Sequence, residues 1–220
     1  MTLKGDDMWI NLIAGIIIAG AVIGMIVLIV HFAVKKSDYY GGSEIETPEK
    51  KAGRIGERYA ETHIRSVMRE SDHLFTNFSV IFEGRPAEFD NIIVNSFGVF
   101  IIEVKNYSGK LYGSEDDHKW TKVHISKGGN PYAKDVTNPI SQLKREVHIL
   151  ANYLRYFGAS VWVEGYCIIL GTSSPVYSDR ILTNDSDIDR AIHTAGKKRL
   201  STEQIDLIYR LLSNNKSMII

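Results

Sequence analysis

The sequence predicts an α/β domain, a mixed β-sheet flanked by helices, preceded by one transmembrane helix. Three observations carry this reading. Residues 8–34 contain no Asp, Glu, Lys or Arg. Three strand-like runs, near 74–82, 87–94 and 99–105, follow one helical pattern. A helix signal at Asn138-Pro139 then leads into a further β-rich run, Val161 to Leu170. Strands, a helix and another strand in that order describe a single α/β unit.

The N-terminal stretch sets the domain boundaries. At about 1.5 Å rise per residue, residues 8–34 would reach roughly 40 Å, against a hydrocarbon core of about 30 Å. A cleaved signal peptide would have a basic start and a shorter apolar run, whereas Lys4 is accompanied by Asp6 and Asp7. Lys35 and Lys36 follow the apolar run directly, which puts that side in the cytoplasm. The expected arrangement is a single-pass protein of the cell membrane. A short N-terminus lies outside, Trp9 sits at the outer interface, and the soluble domain faces the cytoplasm. Gly20 and Gly24 form a small-xxx-small pattern that can pack two such helices into a homodimer, although glycine is common in membrane helices generally. The expected divisions are an anchor over 1–36, a polar linker over 37–52, and a domain over 53–220 with its motifs between about 53 and 157.

Within the domain, Ile55, Tyr59, Ala60, Ile64, Val67 and Met68 have helical spacing over 53–70. Gly109 to Gly113 and Lys119 to Ile125 read as a further hairpin, and 126–137 as a loop. Asn138 caps the next helix and Pro139 suits its first position; Ile140, Leu143, Val147, Leu150, Ala151 and Leu154 form its apolar stripe, and Gly158 ends it. Two terminal helices are expected near 185–195 and 202–213, the last opened by a Ser201-Thr-Glu-Gln204 capping box.

Composition narrows the function. The chain has 26 basic and 26 acidic residues, so any phosphate-binding surface must be local. The lone Cys167 allows no internal disulfide and reads as a buried small residue. The seven histidines form no ligand-spaced cluster, and His118, beside Asp116 and Asp117, reads as a solvated loop residue. Walker, dinucleotide-binding and nucleophile-elbow patterns are absent.

The informative place is the strand pair around Asn95-Ser96-Phe97-Gly98. Closing the turn at Val94/Val99 or at Asn95/Gly98 gives the same register, and either puts Asp90 directly opposite Glu103. Directly opposed side chains share a face, and Lys105, two residues on, shares it too. Two close carboxylates repel, and a hard divalent cation such as Mg²⁺ relieves this. The alternative is a plain salt bridge at a sheet end, with Lys105 neutralising Glu103 and Glu88.

Asp90 followed by Glu103-Val104-Lys105 across a hairpin resembles the PD-(D/E)xK nuclease motif of the restriction-endonuclease-like superfamily. More narrowly, residues from about Gly53 to Tyr153 resemble the nuclease-related domain, or NERD, family. The matching pieces are Gly53-Arg-Ile-Gly56-Glu57, Glu88 to Val94, Gly98 to Asn106, Gly109 with Gly113, Trp120, and Asn138-Pro139-Ile-Ser-Gln142. The resemblance implies a restriction-endonuclease-like fold and a membrane-anchored, Mg²⁺- or Mn²⁺-dependent nuclease that hydrolyses DNA. Asp90, Glu103 and the Val104 carbonyl would hold the metal, with Glu57 contributing or orienting a water. The metal would polarise the phosphate and lower the pKa of the attacking water. Lys105 would position that water and stabilise the transition state, and Gln142 would support the site or approach the substrate backbone. Where RecB-type nucleases often carry Tyr four residues after the Gln, this sequence carries Glu146. Lys105, Lys110, Lys119, Lys122, Lys127 and Lys134 could line a phosphate track. The alternative function is a catalytically silent nucleic-acid-binding or protein-interaction module on the same fold.

Overall fold

A computed structural model describes residues 47–126, 128–172, 176–194 and 199–214. The expected membrane span, the Gly20–Gly24 pattern and Lys127 lie outside these residues. Among the described residues, no helix is long and apolar enough to cross a membrane.

Helix α1 (Pro48–Val67) leads into strands β1 (His73–Phe82), β2 (Arg85–Asn95), β3 (Gly98–Tyr112), β4 (Lys119–Ile125) and β5 (Pro131–Thr137). Helix α2 (Pro139–Tyr156), strands β6 (Val163–Thr172) and β7 (Ile181–Leu182), and helices α3 (Asp185–His193) and α4 (Thr202–Ser213) complete the domain. Strands β1, β2 and β3 are antiparallel, whereas β6 runs parallel to both β3 and β7, so the sheet is mixed as expected. One face is covered by α2 and α4, which pack Leu143, Leu150, Leu154, Ile208 and Leu212 against Val94, Val99 and Ile101. The other is covered by α1 and α3, through Ala60, Ile64, Ile188 and Ile192 against Ile93, Phe100 and Ile102.

Three expectations are corrected. Helix α1 begins at Pro48, inside the stretch expected as linker, and ends at Val67 rather than at 70. It stops there because Asp72 closes a turn: its carboxylate accepts the Arg69 N–H at 2.7 Å, and its own N–H bonds the Arg69 carbonyl at 3.0 Å. The hairpin expected from Gly109 is no separate unit, since its first arm is the end of the 15-residue strand β3. Residues 131–137, expected as loop, form β5 on β4. That strand is exposed at every position but Val136, so it has no apolar run to announce it.

The cap expectations hold in detail. Asn138 accepts the Ile140 N–H at 2.9 Å, and Ser201 with Gln204 forms the full capping box.

Helix α3 is pinned by a contact that the sequence does not announce. His193 Nε2 faces Asp72 Oδ2 at 2.8 Å, and Nδ1 faces Asp189 Oδ1 at 2.6 Å. The His193 and Asp72 side chains are both only 2% exposed. Replacing His193 with Ala leaves the buried Asp72 carboxylate with the Arg69 N–H but without its imidazole partner, a loss that costs about 1–3 kcal/mol. Urea unfolding should show a loss of that size; one below about 1 kcal/mol would mean that Asp72 reaches water instead.

Candidate active site

The site sits at a gap in the hydrogen-bond ladder. On one side β3 pairs with β2 only as far as Ile102↔Asn91, and with β4 only from Lys110↔Val123 onward. Its other side stays paired to β6 from Val99 to Asn106. Residues 103–109 therefore present one free strand edge.

Asp90 fills part of that gap. Its Oδ2 accepts the Val104 N–H at 2.8 Å, taking the place of a strand partner. A strand residue projects its N–H and C=O to the same side, so the Val104 carbonyl also faces the gap. The alternation of β2 slips at this point. Ala87 and Phe89 point into the α2 side before Asp90, and Ile92 and Val94 do so after it. In the neighbouring strand β1, Asn77 has φ 51°, a left-handed backbone that lets the paired strands kink together.

The expected register holds from Asn95↔Gly98 to Asn91↔Ile102 and ends one step short of Asp90 and Glu103, where Asp90 bonds the Val104 backbone instead. Glu103 is 2% exposed. Its Oε1 pairs with Lys105 Nζ and accepts from Gln142 Nε2 at 2.7 Å. The salt bridge read from sequence thus exists toward Glu103, while Glu88 is exposed at the strand surface. The same Gln142 nitrogen lies 2.8 Å from Glu146 Oε1, which makes one amide the bridge between two carboxylates.

The electrostatics reflect crowding of like charge. Burial and the neighbouring Glu103 push the Asp90 carboxyl up to about 6. Burial and Glu103 push Glu146 up to about 8. Glu57, on α1, is raised by burial and by Asp90, which places it within electrostatic reach of the gap. Burial opposes the charge on Lys105, but Glu103 outweighs it and raises the ammonium above its usual value.

The structure thus brings Glu103, Lys105 and Gln142 into contact and sets Asp90 on the adjacent backbone. Glu57 interacts with Asp90 through charge rather than through a hydrogen bond. His118 is exposed, as expected of a solvated loop residue, and Cys167 is buried with its thiol pushed up by burial.

Among the described residues, no three His, Cys, Asp or Glu side chains converge tightly enough to enclose a cation. Asp90 and Glu103 with a free carbonyl beside them still suit Mg²⁺, which is commonly held by one or two carboxylates while water and substrate phosphate fill the other positions.

A family model described as the nuclease-related domain matches residues 52–170, more than half of the chain. The chain belongs to the NERD family. That family is part of the restriction-endonuclease-like superfamily. An uncharacterised Bacillus anthracis protein is 34% identical over 71 residues, covering 32% of this chain. The chain spans about a third of that relative's length, 34%. No solved structure matches.

Several pieces of the NERD resemblance have structural reasons. A Cβ on Gly56 would stand 3.0 Å from Asn106 Cβ, so glycine lets α1 lie against β3 beside Glu57. A Cβ on Gly113, at φ 152°, would fall 2.3 Å from the Trp120 ring. The Asn138 amide ties α2 to the turn after β3, donating to the carbonyls of Glu115 and Asp117 at 3.0 and 2.6 Å. These contacts fix α2, and with it Gln142, against the site. Glu146 entered the sequence reading only as a departure from a neighbouring pattern. Its signal was its place on the helix, three residues after Leu143 and four before Leu150, both buried.

Proposed function

We propose that the protein is a membrane-tethered, divalent-cation-dependent nuclease that hydrolyses DNA. The observation that carries this is the ladder gap holding Asp90, Glu103, Lys105 and the Val104 backbone together. The restriction-endonuclease-like superfamily supplies the reaction class. Mg²⁺ or Mn²⁺ bound between Asp90 and Glu103 would supply Lewis-acid activation of the phosphodiester and of its attacking water. Lys105 carries a strengthened positive charge at the gap, suited to a phosphate oxygen gaining charge in the transition state. Gln142 holds Glu103 in place, and Glu57 adds negative charge on the α1 side.

The tether rests on the charge-free residues 8–34, and the cytoplasmic side on Lys35 and Lys36. Pairing through Gly20 and Gly24 would make the protein a homodimer. The test is cleavage of single- and double-stranded DNA by the full chain in detergent micelles with Mg²⁺ or Mn²⁺. Absence of any cleavage beyond that of an Asp90→Ala control would overturn the reading.

The substrate surface is narrower than the run of lysines suggests. Lys122 stands directly opposite Lys134 across β4 and β5, beside the directly opposed His124 and Tyr132, whose rings stack at 5.2 Å. Lys122 Nζ lies 5.6 Å from the Tyr107 ring, two residues along β3 from Lys105. Lys110 and Lys119 point to the opposite face of this arm. Like charges directly opposed destabilise a sheet, and a bound phosphate backbone relieves the repulsion. Lys122→Glu with Lys134→Glu should weaken DNA binding and lower the slope of log affinity against log salt by about 2. Lys110→Glu with Lys119→Glu should change neither; equal effects from both pairs would remove this assignment.

A further inference from the structure

Among the described residues, Glu146 Oε2 is the one buried side-chain polar atom without a hydrogen-bond partner. Glu146 is 2% exposed and lies on α2 between core positions Leu143 and Leu150. An apolar residue there would extend the core, yet the chain keeps a carboxylate whose outer oxygen nothing satisfies. That carboxylate is not isolated. Gln142 Nε2 holds Glu103 Oε1 at 2.7 Å and Glu146 Oε1 at 2.8 Å, so the two acids stand side by side.

Charge balance points the same way. Asp90 and Glu146 both lie within electrostatic reach of Glu103, although the three acids do not close on one point, and Lys105 is the cation that pairs with Glu103. A divalent cation drawn in among them would offset the charge they carry when ionised. Hard cations take carboxylate oxygen, and an oxygen already free of partners requires no bond to be broken on binding.

We propose that Glu146 is a further ligand for the divalent cation, acting beside Glu103 with Gln142 as the brace between them. This rests on the reading of Asp90 and Glu103 as a cation site. The brace explains why Gln142 and Glu146 stand one helical turn apart on the same face of α2. It also gives position 146 a role of its own in place of an aromatic side chain.

The test uses the full chain in detergent micelles, stripped with chelator and titrated calorimetrically with Mn²⁺. Wild type is compared with Glu146→Gln, Glu146→Leu and Asp90→Asn. The expected result is Mn²⁺ affinity at least tenfold weaker in both Glu146 variants, with Tm in chelator equal to or above that of wild type. The rise in Tm on adding Mn²⁺ should shrink accordingly. Affinity within twofold of wild type in Glu146→Gln, while Asp90→Asn loses binding, would overturn the role of Glu146 alone. A lowered Tm in chelator for both Glu146 variants would assign the residue to packing and likewise overturn it. Wild type that binds no Mn²⁺ would overturn the cation site itself, and this ligand with it.

Discussion

Lys105→Ala should lower divalent-cation-dependent DNA cleavage by about 10²–10³-fold, the usual cost of removing one preorganised charge partner from a transition state. The same change should destabilise the fold. Glu103 is 2% exposed and would keep the Gln142 amide as its side-chain partner. Breaking a buried ion pair from one side costs about 3–5 kcal/mol. The Lys105 side chain is 26% exposed, so water can partly replace it and the lower end is expected. The two losses should separate on adding Mn²⁺. A cation beside Glu103 restores the missing charge balance, so stability should recover while cleavage does not. Lys105→Arg should keep the ion pair and still lose activity, because a planar guanidinium presents its donors differently from an ammonium. Single-turnover cleavage and urea unfolding on the same preparations read both effects. Cleavage by Lys105→Ala within about threefold of wild type would remove Lys105 from the reaction.

The core of this site was legible because a β-hairpin has few degrees of freedom. Once the turn at Asn95 to Gly98 is placed, the register as far as Asn91↔Ile102 follows from counting, which brings Asp90 and Glu103 to the end of the ladder. The α2 start was legible for a similar reason, since Asn138 and Pro139 each have one favoured place at a helix beginning. The ladder gap was not. That β3 would exchange β2 for β4 along one edge depends on Gly109 to Tyr112 continuing β3, whereas they read as a separate hairpin arm, and β5 is a solvent-facing strand of mixed polar residues. Its partner residues Lys122 and Lys134 look like any exposed lysines until the pairing sets them face to face.

Glu146 marks a different limit. Helical periodicity put it on the buried side of α2, but the apolar stripe could be completed with Val147 in its place. Nothing local distinguishes a charged residue at the margin of a stripe from one aimed into a site. Only the tertiary contact through Gln142 does so. The Asp72–His193–Asp189 contact is similar, since it joins residues 121 positions apart.

The second large effect expected is a stability profile whose slope reverses with the cation. In chelator, the Asp90 carboxyl titrates at about 6 in the folded chain against 3.8 ordinarily. Below about pH 4 both states hold the proton, and the group is neutral to stability. Between about 4 and 6 the unfolded chain releases it first, so unfolding is favoured as pH rises. Above about 6 the loss is complete, and it amounts to about 3 kcal/mol. Glu146, raised from 4.5 to about 8, carries the decline further toward alkaline pH. Asp90→Asn removes the titration and keeps an oxygen to accept the Val104 N–H. Its stability should therefore match wild type near pH 4 and exceed it by about 3 kcal/mol near pH 7 in chelator. With Mn²⁺ the order should invert. Cation binding requires ionised carboxylates, so wild type should gain stability as pH rises through the same window, and Asp90→Asn should not. Urea unfolding of both proteins at pH 4.5, 6 and 7.5, with and without Mn²⁺, resolves the sign directly. Parallel profiles in the two conditions would mean that Asp90 is held up by burial alone and meets no cation.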